Sequence, residues 1–215
     1  MNNSNIKKHQ EDFLNKAKAR KTPVNFNVEG IDVVVNPGVF PPATDTKLLV
    51  ANIHTKKGER IIDLTTGSGS AAIAAGLQGA SGLAADINPE AVKNANQNFK
   101  KHNVQIEVIE SNLFEAVPPE YFDQMFANGP FFEGYITDPM DYACYGARMF
   151  IESLFSGLKN YLKIDGKLLI VMSAWSDLEH FKKTSKKNGL KTKMIATRKS
   201  DDKERTYHLY EVKIS

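Results

Sequence analysis

The run Asp63-Leu64-Thr65-Thr66-Gly67-Ser68-Gly69 closes an apolar stretch and leads directly into the alanine-rich segment Ser70-Ala71-Ala72-Ile73-Ala74-Ala75. Glycines at a strand-to-helix turn let the backbone pass close to a ligand, and small residues let the following helix pack tightly on a sheet. Asp86 ends the next apolar run, about twenty residues on, where a carboxylate can accept both hydroxyls of a ribose. Its neighbour Ile87 can lie on an adenine face. A third segment is Ser111-Asn112-Leu113-Phe114, in which Asn112 carries both the donor and the acceptor needed to read an adenine edge. Together these residues specify a site for a nucleoside-bearing cofactor. The spacing does not separate a nicotinamide dinucleotide from S-adenosylmethionine (SAM), because the third glycine of the dinucleotide fingerprint is replaced by Ala72, which that fingerprint tolerates.

Such residues need a scaffold that brings three loops to one edge. The hydrophobic pattern predicts strands at 60–64, 82–86, 105–109, 122–127, 167–172, 191–196 and 206–213, and helices at 71–78, 89–102, 142–162 and 178–188. Strands alternating with helices at this spacing imply right-handed crossovers and a Rossmann-like α/β fold, with helices on both faces of a mostly parallel sheet. The stretch 197–205 is too short for a crossover helix, so the last two strands must pair as a hairpin and place one antiparallel edge strand on a sheet of seven strands. Ahead of this lie an amphipathic helix at 5–20, with Phe13, Leu14 and Ala17 on one side, and two β-branched runs joined by Glu29-Gly30, which read as a β-hairpin. Pro37-Gly38-Val39-Phe40-Pro41-Pro42 is a stiff loop, and Thr44 is placed to cap a helix over 45–53 with Asp45 at its positive end. The chain therefore divides into an N-terminal extension, 1–36, and an α/β domain, 37–215.

Bulk properties fit this plan. The chain has 215 residues, 41% of them hydrophobic and 25% charged, with a net charge of +3, which is ordinary globular usage. Apolar runs fall far short of the roughly 20 residues of a spanning helix, and the Asn/Lys-rich start lacks the core of a signal peptide, so no membrane and a cytoplasmic location are expected. The single cysteine, Cys144, excludes an intrachain disulfide and a multi-cysteine zinc cage and is read as structural. No pair among the five histidines has metal-ligand spacing, so no metal is expected. Lysines cluster over 6–21 and 182–203 and are read as solvated faces, with a phosphate-tracking surface as the rival. Tyr135, Tyr142, Tyr145 and Trp175 are read as packing residues.

Strand 122–127 opens into Asn128-Gly129-Pro130-Phe131-Phe132. With the three segments above, this resembles the class I SAM-dependent methyltransferases. The likeness is greatest to the branch carrying an Asn/Asp-Pro-Pro-Tyr/Phe motif after the fourth strand, which includes release-factor glutamine, ribosomal-protein and adenine-N6 methyltransferases. Pro42-Ala43-Thr44-Asp45-Thr46 is similar to the Pro-x-x-Asp-Thr segment of the glutamine enzymes. The resemblance runs from about Val39 to the C-terminus. It implies SAM as cofactor, with S-adenosylhomocysteine (SAH) as product, held by Thr46, Asp63, Thr65, Thr66, Gly67, Ser68, Gly69, Asp86, Ile87, Asn112, Leu113 and Asn128. It implies a catalytic turn of Asn128, Gly129, Pro130 and Phe131. A planar nitrogen attacking a sulfonium methyl must have its hydrogens held aside; the Asn128 side-chain oxygen and the Gly129 carbonyl can accept them, and Phe131 can stack on a planar group. This chain departs from the pattern at Thr65, where glycine is usual, and at Gly129, where proline is usual. The implied activity is methyl transfer to an amide or amine nitrogen of a protein, peptide or small molecule. The alternatives are adenine-N6 methylation of RNA or DNA, and an inactive SAM-binding scaffold.

Overall fold

The computed structural model describes residues 3–215, residues 3–7, 9 and 10 by their backbone alone. Helix α1 (Asn3–Ala19) precedes a hairpin of β1 (Val24–Val28) and β2 (Ile31–Val35). Its turn, Glu29-Gly30, has φ of 52° and 88°, the two positive values that let a two-residue turn follow the twist of its strands. The main sheet contains β3 (Arg60–Asp63), β4 (Ser81–Asp86), β5 (Ile106–Glu110), β6 (Phe122–Ala127), β7 (Leu162–Ser173), β8 (Leu190–Lys199) and β9 (Thr206–Ile214). The strand order is β5-β4-β3-β6-β7-β9-β8. Pairing is parallel from β5 through β7, and β9 runs antiparallel to both of its neighbours. The expected hairpin thus forms the edge, with β9 inserted between β7 and the outermost β8.

Adjacent residues on each central strand enter opposite layers, as the period of two requires. Ile61, Phe126 and Leu169 enter one core with α2 (Thr44–Val50), α3 (Ser70–Leu77) and α4 (Pro89–His102). Ile62, Met125 and Leu168 enter the other with α5 (Ala147–Gly157) and α6 (Leu178–Lys187). Val33 and Val35 of the N-terminal hairpin belong to the first core. Two buried asparagines stitch that hairpin to α4: Asn98 accepts from the Val34 N–H at 3.0 Å and Asn94 from the Asn36 N–H at 2.8 Å, and both donate to the Val34 carbonyl at 2.8 Å. The edge of β2 is thereby satisfied by side chains rather than by another strand.

Two local expectations are corrected. The predicted helix 142–162 is broken: a 3-10 turn spans Pro139–Ala143, α5 begins only at Ala147, and a second 3-10 turn covers Leu158–Asn160. Gly146 between them has φ 90°, which no right-handed helix accommodates. Thr44 is the first residue of α2 rather than its cap; Ala43 holds the cap position, and the Thr46 hydroxyl accepts the Ala43 N–H at 3.4 Å.

Candidate active site

Strands β4 and β5 lie on one side of β3, and β6 and β7 on the other, so the chain reverses direction across the sheet between β3 and β6. Ligands of open α/β sheets sit at the carboxyl ends of the strands at such a switch point. A cavity of about 220 Å³ opens there, lined by the loops after β3, β4, β5 and β6 and by the start of α2.

The loop after β3 is held by its neighbours. The Leu64 N–H donates to the Phe126 carbonyl at 2.9 Å and the Thr66 N–H to the Ala85 carbonyl at 3.0 Å. Gly69 caps α3 with φ 90°, and a Cβ at this position would stand 2.6 Å from the Phe99 ring. Glycine is therefore required both by the backbone and by the helix packed above it. Asp86 closes the loop by accepting the Gly67 N–H at 2.8 Å on Oδ2 and the Asn88 N–H at 2.9 Å on Oδ1. Each oxygen of a carboxylate keeps a further lone pair, so Asp86 can accept two more donors from a ligand. Asn112 lies at the rim with its amide N–H on Glu115 at 2.8 Å, and Leu113 beside it is buried in a left-handed conformation, φ 50°.

At the head of the cavity, Asn128 is fixed from three sides. Its backbone N–H donates to the Thr65 hydroxyl at 2.7 Å, and its side-chain amide donates to Asp45 Oδ2 at 3.1 Å and to Thr46 Oγ1 at 3.3 Å. With the amide nitrogen so held, Asn128 Oδ1 is buried and has no partner among the described residues. The Asp63 Oδ2 and Asp45 Oδ1 atoms are buried and unpartnered in the same way. Buried acceptors without donors are costly and rare in native folds, so their convergence on one cavity marks where a donor-bearing ligand belongs.

Burial raises the carboxyls of Asp45 and Asp86, although the Asn128 amide offsets this at Asp45 and the Asn88 and Gly67 N–H groups at Asp86. Asp63 is pushed up to about 7 by burial, with the nearby charge of Asp86 adding to the effect. Among the described residues the charged lining residues are Asp45, Asp63 and Asp86, and no lysine, arginine or histidine belongs to the lining. The site is therefore suited to neutral or cationic ligands and repels phosphates.

Thr46, Asp63, Thr65, Thr66, Gly67, Ser68, Asp86, Ile87, Asn112, Leu113, Asn128, Gly129 and Pro130, all named from sequence, line this one cavity. Gly69 and Phe131 do not. The Phe131 ring packs on Tyr207, with centroids 5.7 Å apart, and so supports the turn from behind. On the opposite wall, sequence reasoning singled out Tyr142 and Tyr145 but read them as packing residues, and it gave no place in the site to Phe40, Met140, Met149 or Phe150, which line the cavity with them. It also read Asp45 as a helix-dipole residue, whereas its carboxylate holds Asn128. The Pro-x-x-Asp-Thr segment was the available signal for Asp45; the wall segment beyond Asn128 had only its place after that turn, because the expected helix 142–162 hid the break at Gly146. Tyr145 packs and lines at once, while Tyr135 is 94% exposed. Cys144 is buried, as a structural thiol should be. Among the described residues no helix is long and apolar enough to cross a membrane.

Part of the wall is covered by α1. Leu14 and Ala17 pack on Met140, Cys144 and Tyr145, the Phe13 and Phe40 rings lie 5.3 Å apart, and Lys18 forms ion pairs with Asp138 and Asp141.

Comparison with known proteins agrees with this geometry. Residues 30–199 match the family described as the methyltransferase small domain. A Methanocaldococcus jannaschii protein, provisionally named a protein N5-glutamine methyltransferase, is 34% identical over 157 residues, covering 69% of this chain and 79% of that one. The release factor glutamine methyltransferase of Geobacter sulfurreducens is 29% identical over 123 residues, covering 53% of this chain but only 43% of its own length. A Thermus thermophilus 16S rRNA N2 methyltransferase, solved with AdoMet and guanosine, superposes with a TM-score of 0.64 at 16% identity, covering 90% of this chain and 50% of that one, which is a likeness of fold.

Proposed function

This chain belongs to the methyltransferase small domain family, and on that premise we propose that it methylates an amide or amine nitrogen of a protein or peptide. It is a SAM-dependent methyltransferase, and the cofactor supplies an electrophilic methyl group on a sulfonium centre. The residues fit that cofactor. Asp86 would receive the ribose hydroxyls, Ile87 and Leu113 would flank the adenine, Asn112 would read its edge, and the unpartnered oxygen of Asp63 would receive the amino group; all five line the cavity. Thr66, Gly67 and Ser68 bring the backbone close to the chain between them.

One observation carries the choice of a nitrogen acceptor: the buried, unpartnered Asn128 Oδ1, whose orientation Asp45 and Thr46 fix. Together with the Gly129 carbonyl it offers acceptors for two N–H bonds, aiming the nitrogen lone pair at the methyl group. As positive charge grows on the nitrogen these hydrogen bonds strengthen, which is where preorganised acceptors contribute most. Met140, Tyr142, Met149 and Phe150 line the side of the cavity that faces these acceptors; Met140 is buried, whereas Tyr142 and Met149 keep exposed surface.

A protein or peptide acceptor is favoured over a nucleic acid on two grounds. The glutamine methyltransferase names of the relatives point that way, and a polyanion finds no basic side chain in the lining. The lone cysteine fits a reducing compartment, and a cytoplasmic location is part of the proposal. The test is transfer from tritiated SAM into a cell extract, followed by separate protease and nuclease digestion. Label released by protease alone supports the reading; label released by nuclease assigns a nucleic-acid acceptor. A protein that binds SAH and labels no fraction is a scaffold.

A further inference from the structure

The residue after Asn128 is glycine, which leaves the backbone there freer than the proline usual at that position, although Pro130 follows it. Space explains the glycine: a Cβ at position 129 would lie 2.3 Å from the Phe150 ring, so the first turn of α5 presses an aromatic wall of the cavity directly onto the turn. What fixes the backbone is on the other side. Thr65 Oγ1 accepts the Asn128 N–H at 2.7 Å, and Thr65 belongs to the loop that lines the cofactor half of the cavity. A single hydroxyl therefore joins the loop after β3 to the loop after β6.

We propose that Thr65 is a positioning residue that couples the two halves of the site, so that ordering the cofactor loop also orders the turn that aims the acceptor nitrogen. The inference rests on the nitrogen-transfer reading above. Its physical basis is direct. If Thr65 loses its oxygen, the half-buried Asn128 N–H has no acceptor at that position, and the glycine that follows gives the turn freedom to move. By linkage, an interaction that transmits order from cofactor to acceptor must also transmit it back, so an acceptor tightens cofactor binding by the same factor.

The test compares Thr65→Val, which keeps the branched shape without the oxygen, with Thr65→Ser, which keeps the oxygen. Two readouts are needed: amide hydrogen exchange at Asn128 by NMR with and without SAH, and the initial rate of tritium transfer from saturating SAM into a cell extract. In the wild type, SAH slows exchange at Asn128. In T65V we expect exchange at least tenfold faster, no further slowing by saturating SAH, and transfer reduced about tenfold; T65S recovers most of both losses. Unchanged Asn128 exchange in T65V overturns the proposal, as does T65V transfer at the wild-type rate. A loss that T65S fails to recover also overturns it, by assigning the effect to packing. Wild-type protein that binds SAH but labels nothing defeats the functional reading instead, and the exchange data then decide the coupling alone.

Discussion

Burial raises the Asp63 carboxyl, and the nearby charge of Asp86 adds to the effect. Unfolded, an aspartate ionises near 3.9, whereas here the carboxyl is raised to about 7. Between those values the unfolded chain has released its proton and the folded chain retains it, so this group removes stability as pH rises from about 4 to about 7 and adds no further slope above. Calorimetric melts of the ligand-free protein from pH 5 to 8 are expected to show this decline, and Asp63→Asn to flatten it; an identical slope in the variant counts against the assignment. A cationic amino group beside Asp63 favours the ionised form. SAM binding near pH 6.5 should therefore release protons, seen as a binding enthalpy that varies with buffer, and D63N should lose that dependence. For Asn128 the expectation concerns rate. Asn128→Ala removes the acceptor on the developing charge, and transfer should fall by roughly 100-fold or more, with SAH affinity changed by less than about tenfold. Equal losses in both would reassign Asn128 to cofactor binding.

Among the elements, the four loops that follow β3 to β6, including the turn Asn128-Gly129-Pro130, were legible in the sequence and the wall facing them was not. The loops after β3, β4, β5 and β6 were found because each follows a strand with a clear apolar pattern, and a switch-point fold brings such loops together. The wall opposite depends on where a helix stops. The apolar spacing over 142–162 fits a continuous helix, and only the left-handed backbone of Gly146 turns part of that stretch into cover for the cavity. Likewise, nothing local in sequence marks the Thr65 to Asn128 bond, because its partners are 63 residues apart. The same segment depends on α1. Burial alone would raise the Asp141 carboxyl, yet the Lys18 ammonium and the N–H and O–H of Thr137 hold it at about 2. Its contribution is therefore present above the ordinary aspartate range and lost as pH falls toward 2. Lys18→Met is expected to cost about 1–3 kcal/mol in urea melts at pH 7, as for a buried charged group that loses a partner. A variant as stable as the wild type would show that the ion pairs contribute nothing net.

For the whole molecule, the two parts of the N-terminal extension differ in kind. The hairpin places Val33 and Val35 in the main core, whereas α1 attaches through a separate cluster over the site. We propose 37–215 as the catalytic domain and 1–36 as an extension whose hairpin has become part of its core. Removing residues 1–22 should leave a folded sheet while exposing Met140 and Tyr145. Limited chymotrypsin digestion should then cut the 131–148 segment, which carries Phe131, Phe132, Tyr135, Tyr142 and Tyr145, several-fold faster, with far-ultraviolet dichroism little changed apart from the lost helix. Loss of all cooperative melting would show that α1 is needed for folding itself.

The absence of basic side chains from the cavity lining bears on selectivity among metabolites. Adenosine circulates in cells chiefly with phosphates attached, as nucleotides and dinucleotides, and the ribose-binding part of this site would recognise all of them equally. Asp45, Asp63 and Asp86 converge on the same space; although burial raises their carboxyls, a positively charged tail would favour their ionised forms while a polyphosphate would gain no partner from them. Competition against labelled SAM should therefore rank SAH and adenosine well above ATP or NAD, although all four present the same nucleoside. That ranking would make the charge of the pocket a filter on the cofactor pool, acting before any acceptor is bound.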